Sequence, residues 1–505
     1  MIADVPVCLI IAPSAFLLDE RVFMSLGILK VAAVLEQQGR QVEVVDLSGI
    51  DNYEDAIRHH ASQSGARHFG ITATTPQMPA AAKIAAEIRR VRPDAVTILG
   101  GPHATLVHAA VRAERRQQQD GRAMEALRIL HRQFDIIVAG DGEQAIFRAI
   151  GSSPAPLIDA DDPKSALFLS SAALTLSPFP ARHLVDVDSY HYTIDGHRAT
   201  SLIAQLGCPF ECGFCGGRAS PMLRRVRARA QESIISEMTL LYEHYGFTGF
   251  MFYDDELNVN RGMIPLMRAI RDAQDRLGVD WRLRGFIKAE LFTDDQAREM
   301  YNAGFRWILV GFESGSRRIL QNINKKATRE DNTRCAEIAA AHGLKVKALM
   351  SVGHPGESRE TIMETHEWLL ETRPADFDVT IITTYPGTPY YDEAVPDRSR
   401  PGVWVYTYSK TGDRLYGLDV DYTKVAEYYK GDPDGGYRAY VFTDHVTADQ
   451  LVEMRDFVER DVRKRLNIPF NPSAPASRYE HSMGQGPLPT HILRQTRIPS
   501  PEARL

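Results

Sequence analysis

Three of the chain's five cysteines fall within eight residues, in the run Gly207-Cys208-Pro209-Phe210-Glu211-Cys212-Gly213-Phe214-Cys215-Gly216-Gly217. The spacing is C-x3-C-x2-C, with an aromatic residue just before the last thiol. Three thiolates on one short loop suit three corners of an iron–sulfur cube, because soft iron favours sulfur donors. The fourth iron then has no nearby protein ligand and stays open to a substrate. Structural zinc asks for four ligands, and no fourth Cys or His follows at finger spacing. A disulfide reading fails on the odd number and on the glycines and phenylalanine of so tight a loop. The bland alternative is a chance cluster on a surface loop, and the flanks speak against it. Ile203 to Leu206 reads as a buried strand running into the loop, and Glu232 to Tyr245 as a helix after it.

At 505 residues the chain is too long for one core, which predicts two or three domains. A hydrophobic content of 44% and a charged content of 25% are those of an ordinary globular protein. The net charge of −6 argues against nucleic acid as the main partner. No apolar run approaches the ~20 residues that span a bilayer. Met1 to Pro6 lacks a basic region, and Val7 to Ala12 is too short for the core of a signal peptide. With three of five cysteines clustered there is no disulfide framework, and the expected location is a reducing cytoplasm.

Residues 1 to about 150 alternate strand and helix patterns. Val7 to Ala12, Val42 to Leu47, His68 to Thr72, Ala95 to Leu99 and Asp135 to Ala139 read as strands. Ile28 to Gln38, Ala56 to Ser64 and Ala80 to Arg90 read as helices. Several strands run into Gly-bearing loops, so the expectation is an open parallel sheet whose ligand lies outside the strands' carboxyl ends. No G-x-G-x-x-G follows a strand, which removes a dinucleotide fingerprint. Val111 to Gln133 is a charged insertion, expected to form an exposed helix pair around Asp120-Gly121. Residues 151–199 read as a linker with Pro-rich loops and a hairpin, Tyr190 to Ser201, around Asp195-Gly196.

From about 200 to 390, six strand candidates are separated mostly by helical stretches: Ser201–Leu206, Gly249–Tyr253, Trp281–Lys288, Trp307–Phe312, Val346–Val352 and Asp378–Thr383. Residues 391–505 predict a small α+β domain. Short strands fall between Trp404 and Lys430, and a helix from a Thr447 cap to Asn467. A Pro-, Ser- and Arg-rich arm runs from Asn471 to Leu505.

The cysteine spacing, with Phe214 before Cys215, resembles the signature of the radical S-adenosylmethionine (SAM) enzymes. The resemblance implies that Cys208, Cys212 and Cys215 hold a four-iron four-sulfur cluster whose open iron binds SAM. The βα repeat of six resembles the partial TIM barrel of that family, in which chemistry sits on loops at the strand C-terminal ends. The loops Leu26-Gly27, Thr72 to Gln77, Gly100 to Thr105 and Gly140 to Glu143 resemble those of the cobalamin-binding domain in front of many such enzymes. The implied cobalamin contacts are Gly27, Thr74, Gln77, Gly100, Gly101, His103, Gly140, Gly142 and Glu143. The D-x-H-x-x-G motif is absent, so the lower face of cobalt is expected to lack a histidine and to lie near Thr74 to Gln77. His103 alternatively reads as a solvent-facing loop residue.

In the barrel, Asp254 and Asp255 stand where the family's Gly-Gly-Glu-type segment contacts the SAM amino group, a match of position rather than of letters. Arg282, Arg284 and Lys288 alternate and share one face; Lys288 is an inward cation for the SAM carboxylate or else solvent-exposed. Gly311 to Ser316 resembles the G-x-E-S-G segment, which implies that Glu313 and Ser314 lie near the SAM ribose and carboxylate. Gly353 to Glu357, with His354, resembles the G-x-P-G-E loop by the adenine or substrate. Tyr385 opens a segment similar to P-G-T-P-x-Y and either lines the reaction chamber or packs. Leu223 to Arg229 resembles the family's R-x-R, contacting SAM or the corrin, with a solvated face as the alternative.

The chain is thus identified as a member of the cobalamin-binding radical SAM class. The architecture expected is α/β: an open, Rossmann-like parallel-sheet cobalamin domain (1–150), a linker (151–199), a partial (β/α)6 barrel (200–390) and a small α+β cover (391–505). The implied activity is methylation of an unactivated carbon of a small molecule through a 5′-deoxyadenosyl radical and methylcobalamin. An external one-electron donor such as flavodoxin or ferredoxin is implied with it. The rivals are a cobalamin-binding cyclase or rearrangement enzyme, and a non-catalytic iron–sulfur binding protein.

Overall fold

In the computed structural model, which describes residues 5–14, 20–118, 121–425 and 438–469, the apolar runs at Val7–Ile11 and Ile136–Gly140 become strands buried on both faces. The N-terminal sheet contains β1 (Val7–Ile11), β2 (Val42–Asp46), β3 (His68–Thr72), β4 (Val96–Gly100), β5 (Ile136–Gly140) and β6 (Leu157–Ala160). All pairs are parallel, and the order is β2-β1-β3-β4-β5-β6. Helices α1 (Leu26–Gln37), α2 (Tyr53–Gln63), α3 (Met78–Val91), α4 (Pro102–Arg116), α5 (Arg122–Gln133) and α6 (Gly142–Ala149) cover its faces. The order turns back at β1, so the crevice at the strand carboxyl ends is the place for a ligand.

Two expectations for this region change. The strand β6 falls in the stretch read as a linker, because Leu157–Ala160 pairs with β5. The charged stretch 111–133 does form two helices, α4 and α5, but not an exposed pair. Ala123, Leu127 and Leu130 are buried along one side of α5, Arg128 and Arg132 are exposed on the other, and Arg122 lies over the Tyr391 and Trp404 rings. Periodic apolar residues in a charged helix go to the core whatever its mean polarity.

The second sheet is an open, curled array of six parallel strands: His197–Leu202, Gly249–Phe252, Arg282–Ile287, Phe305–Glu313, Lys345–Val352 and Asp376–Ile381. The expected hairpin is present, with Thr193–Ile194 pairing antiparallel to His197–Leu202. Asp195 and Gly196 both take positive φ at its turn. The first barrel strand is displaced from expectation. It ends at Leu202, and Gln205–Leu206 instead pairs antiparallel with Arg227–Ala228 at the base of the cysteine loop. An apolar run cannot say which of its residues bond to the sheet.

The C-terminal region is α+β, as expected. A four-stranded antiparallel sheet runs through Val395–Pro396, Val403–Thr407, Arg414–Leu418 and Val441–Phe442. Helix Ala448–Leu466 opens with a capping box between Thr447 and Gln450. It seals the sixth barrel strand with buried charge: Arg463 reaches Asp376 at 3.0 Å, and Lys347 lies 3.2 and 3.1 Å from Asp376 and Asp378. The arm expected from Asn471 to Leu505, and the stretch around Lys430, lie outside the described residues. Among the described residues no helix is long and apolar enough to cross a membrane.

Candidate active site

The cysteine loop is held by backbone before any cofactor is considered. Cys208 N donates to Leu223 O at 3.0 Å, Gly213 N to Ile323 O at 2.7 Å, and Tyr390 N to Gly213 O at 3.2 Å. Gly207 has φ +89°, and a Cβ there would stand 2.1 Å from Arg225 O, so only glycine lets the two segments cross. Cys212 is buried, Cys208 half-buried and Cys215 exposed. Phe214 packs edge-on against His354, with centroids 5.5 Å apart.

The donor set fits an iron–sulfur cube. Among the described residues the three sulfurs do not all close to within 4.8 Å of one another. Three thiolates at ~2.3 Å from one tetrahedral zinc would sit at roughly 3.8 Å spacing, so the set is wider than a single ion takes. Burial pushes the Cys208 thiol up to about 11 and raises Cys212 as well. Desolvation by the surrounding loop raises Cys215, and the neighbouring Cys212 and Cys208 charges raise it further. Each thiolate thus opposes the next, and a multivalent cationic centre is what such a trio is suited to hold.

The acids after the second strand turn inward. Asp254 Oδ1 accepts from Ala204 N and Gln205 N at 2.7 and 2.8 Å, and Asp255 Oδ2 accepts from Gly207 N at 2.8 Å. Two of the three acids therefore shape the approach to the cysteine loop. Asp254 Oδ2 and Glu256 Oε2 are buried with no hydrogen-bond partner among the described residues. Burial pushes both carboxyls up to about 7. Lys288 is buried, not solvent-exposed; its Nζ lies 2.9 Å from Glu290 and 4.1 Å from the centre of the Phe210 ring.

A chain of polar contacts runs along the other wall. Lys325 Nζ lies 3.2 Å from Glu313 Oε1, Ser351 Oγ donates to Glu313 Oε2 at 2.8 Å, and Ser351 Oγ is 2.8 Å from His354 Nε2. His354 Nδ1 then lies 3.3 Å from the Tyr390 hydroxyl. Burial and the Lys325 charge hold the His354 imidazole neutral, its pKa lowered to about 3. Ser314 is not part of this wall. Its hydroxyl is buried against Thr365 Oγ1 at 3.1 Å and accepts from Ser316 N at 3.1 Å, facing the helix layer. Tyr385 is half-buried and packs on Tyr422, with centroids 5.6 Å apart.

Gly27, Thr74, Gln77, Gly100, Gly101, Gly140, Gly142 and Glu143 together line one cavity of about 350 Å³ at the carboxyl ends of β1, β3, β4 and β5. Ile203, Leu206 and Met222, from the approach to and exit from the cysteine loop, line the same cavity. His103 does not line it. It is buried, not solvent-facing, with Nδ1 3.0 Å from Thr75 Oγ1, and burial lowers its pKa to about 4. Within the basic stretch 223–229, Arg225 is exposed but Arg227 and Arg229 are buried. Arg227 Nη1 donates to Asp141 Oδ2 at 2.6 Å and Arg229 Nη1 to Glu237 Oε2 at 2.5 Å, all buried, so the first pair ties the barrel to the N-terminal sheet.

Lys325, Ser351, Tyr390 and Glu256 were not singled out from the sequence as site residues. Glu256 shares the acidic run with Asp254, and Tyr390 closes the segment opened by Tyr385, so both had a signal. Lys325 sits in Asn324-Lys325-Lys326, where only Asn324 and Lys326 take positive φ, and no motif marks it.

Comparison with known proteins agrees with this layout. A family profile described as "B12 binding domain" matches residues 20–131, and one described as "Radical SAM superfamily" matches residues 202–369. The chain is 25% identical over 381 residues to "Uncharacterized methyltransferase PH0819" of Pyrococcus horikoshii, covering 73% of this chain and 78% of that protein. It is 23% identical to the anaerobic magnesium-protoporphyrin IX monomethyl ester cyclase of Rubrivivax gelatinosus, over 69% of this chain and 62% of that one. Among solved structures, the radical SAM methyltransferase TsrM of Kitasatospora setae, with cobalamin and a [4Fe-4S] cluster bound, superposes with a TM-score of 0.64. That match has 18% identity and covers 90% of this chain and 91% of TsrM. At such identity the likeness is one of fold.

Proposed function

Because the chain belongs to the cobalamin-binding branch of the radical SAM superfamily, we propose that it transfers a methyl group from SAM to an unactivated carbon of a small molecule. The observation that carries this reading is the shared wall. The glycine-lined cavity of the N-terminal sheet and the cysteine loop meet at Ile203, Leu206 and Met222. When bound, the cluster supplies the electron that cleaves SAM to a 5′-deoxyadenosyl radical, and cobalamin supplies the methyl group.

The chain's own residues hold and orient. Cys208, Cys212 and Cys215 ligate the cluster. The partnerless oxygens of Asp254 and Glu256 are acceptors suited to an ammonium group, here the SAM amine, while Asp255 fixes the loop through Gly207. The buried lysines Lys288 and Lys325 offer positive charge to a carboxylate. Glu313, held by Lys325 and Ser351, presents an acceptor on the same wall, and His354, kept neutral, passes its orientation to Tyr390. Gly27, Thr74, Gln77, Gly100, Gly101, Gly140, Gly142 and Glu143 take the corrin and its tail. His103, turned to Thr75, would stay out of the cavity that takes the corrin.

Tyr385 and the C-terminal sheet cover the chamber and select the substrate, and an external one-electron donor of the flavodoxin or ferredoxin type reduces the cluster. The test is product analysis with methyl-labelled SAM: label in a product supports methyl transfer. Deoxyadenosine formed without label in any product would turn the reading towards a cyclising or rearranging enzyme, as the magnesium-protoporphyrin cyclase relative suggests.

A further inference from the structure

We propose that Cys8, Glu43 and His60 form a second metal site, separate from the cysteine loop, that takes a borderline-soft divalent cation such as zinc. Cys8 and Glu43 are direct partners in the parallel pairing of β1 and β2, so their side chains leave the same face of the sheet. Helix α2 crosses that face and brings His60, in its last turn, over both. His60 Nε2 lies 3.7 Å from Cys8 Sγ and 2.9 Å from Glu43 Oε2. Among the described residues this is the one trio of His, Cys, Asp or Glu whose ligand atoms all lie within 4.8 Å of one another.

The spacing matches a single ion. Zinc at ~2.3 Å from sulfur and ~2.0 Å from nitrogen and oxygen sets S···N near about 3.5 Å and N···O near about 3.3 Å. Hydrogen bonding leaves the Cys8 thiol and the Glu43 carboxylate competing for one nitrogen of His60. One ring nitrogen faces both partners, and Nε2 is either a donor to the carboxylate or an acceptor from the thiol, never both. A cation in place of the proton serves all three. The mixture of thiolate, imidazole and carboxylate is a zinc donor set. The surroundings also resemble a built site: Ser64 Oγ donates to Glu43 Oε2, the oxygen that faces His60, at 2.6 Å and accepts from Ala66 N at 2.9 Å, which fixes the carboxylate's position. Cys8 is fully buried, while Glu43 and His60 are about one-third exposed, which leaves the fourth position to water.

The location separates this site from the reaction. Leu9 lines the cofactor cavity, and its neighbour Cys8 therefore points to the opposite face of the sheet. The bound ion would clip α2 to β1 and β2, a structural role that needs no redox change.

The test uses the full-length chain with zinc alone as the probe. In a chain carrying Cys208→Ala, Cys212→Ala and Cys215→Ala, dialysis against zinc followed by elemental analysis is expected to retain one zinc per chain. The zinc absorption edge is expected to show one sulfur and three lighter ligands. Cys8→Ala or His60→Asn added to that chain removes the zinc, and Ser64→Ala weakens its binding by about tenfold. Should the triple variant not fold, the same edge measurement on the cluster-loaded protein decides, with His60→Asn, a partly exposed change, as its control. No retained zinc, zinc that survives both Cys8→Ala and His60→Asn, or an edge dominated by several sulfurs would each overturn the proposal.

Discussion

Lys325 Nζ and Glu313 Oε1 form an ion pair 3.2 Å long in the wall beside the cysteine loop, with both side chains largely buried. Glu313 takes φ +65°, a left-handed conformation that costs a non-glycine residue about 1–2 kcal/mol. The cost is tolerated because that conformation aims the carboxylate at Lys325 and Ser351 together. Lys325→Met leaves a buried carboxylate without its cation, which is expected to destabilise by about 3–5 kcal/mol. The double variant Lys325→Met/Glu313→Gln recovers most of that loss. Anaerobic thermal unfolding of the three proteins checks it; a double variant as unstable as the single one would show that the pair is not interdependent.

Gly100 lines the cavity with open space around it: an added Cβ meets nothing within 4 Å, and its φ is unstrained. Gly100→Val is therefore expected to fold normally and to fill the space. The result is a chain with an intact cluster and unchanged unfolding midpoint that retains little corrin after desalting. Gly101 is the contrast, with φ +94° and a Cβ position 2.7 Å from Thr72 Oγ1. Substitution there disturbs the fold as well.

An added Cβ on Gly213 would sit 2.5 Å from Cε1 of Tyr390, itself buried and in hydrogen-bond contact with His354. Gly213→Ala must push the ring or the loop aside, at about 1–3 kcal/mol. Iron and sulfide per chain are expected to fall, while corrin retention is unchanged, because Gly213 is not among the residues that line the corrin cavity.

Burial raises the Glu357 carboxyl from an ordinary 4.5 to about 7. The folded chain thus holds a proton there that the unfolded chain has released, and stability falls as pH rises from about 4.5 towards 7. The stabilising contribution is complete below the unfolded value and gone above the folded one. Glu357→Gln keeps an acceptor for Gly353 N and removes the titration. The urea midpoint of the variant is expected to change less between pH 5 and pH 7 than that of the parent; equal slopes would show that the carboxyl does not titrate in that window.

Much of this was legible in the sequence, and the reasons differ by residue. The N-terminal cavity was, since glycines at strand ends in Gly100-Gly101 and Gly140 mark backbone that must come close to something, and they do converge on one cavity. The Thr447 cap was, because its signal is local. What failed was contact across distance. Nothing near Ser314 says that its hydroxyl meets Thr365 rather than the chamber. The basic run at Arg227 and Arg229 left a cofactor contact and a solvated face open, because its partners, Asp141 and Glu237, are 86 and 8 residues away and the nearer one lies on a separate helix. His103 followed a glycine pair and read as a loop residue, but it enters α4, whose first turns are buried. Ion pairs that bury charge are invisible until the fold has chosen neighbours.

The most direct measurement of the central claim is made anaerobically on the full chain, purified with cobalamin supplied, its cluster rebuilt and the protein desalted. The absorption spectrum is recorded, and deoxyadenosine is assayed after SAM and a reductant, beside Cys212→Ala. Retained corrin bands together with deoxyadenosine that the variant does not form are the predicted result. Cluster and deoxyadenosine without retained corrin would contradict it, because the glycine-lined cavity would then play no part in the reaction.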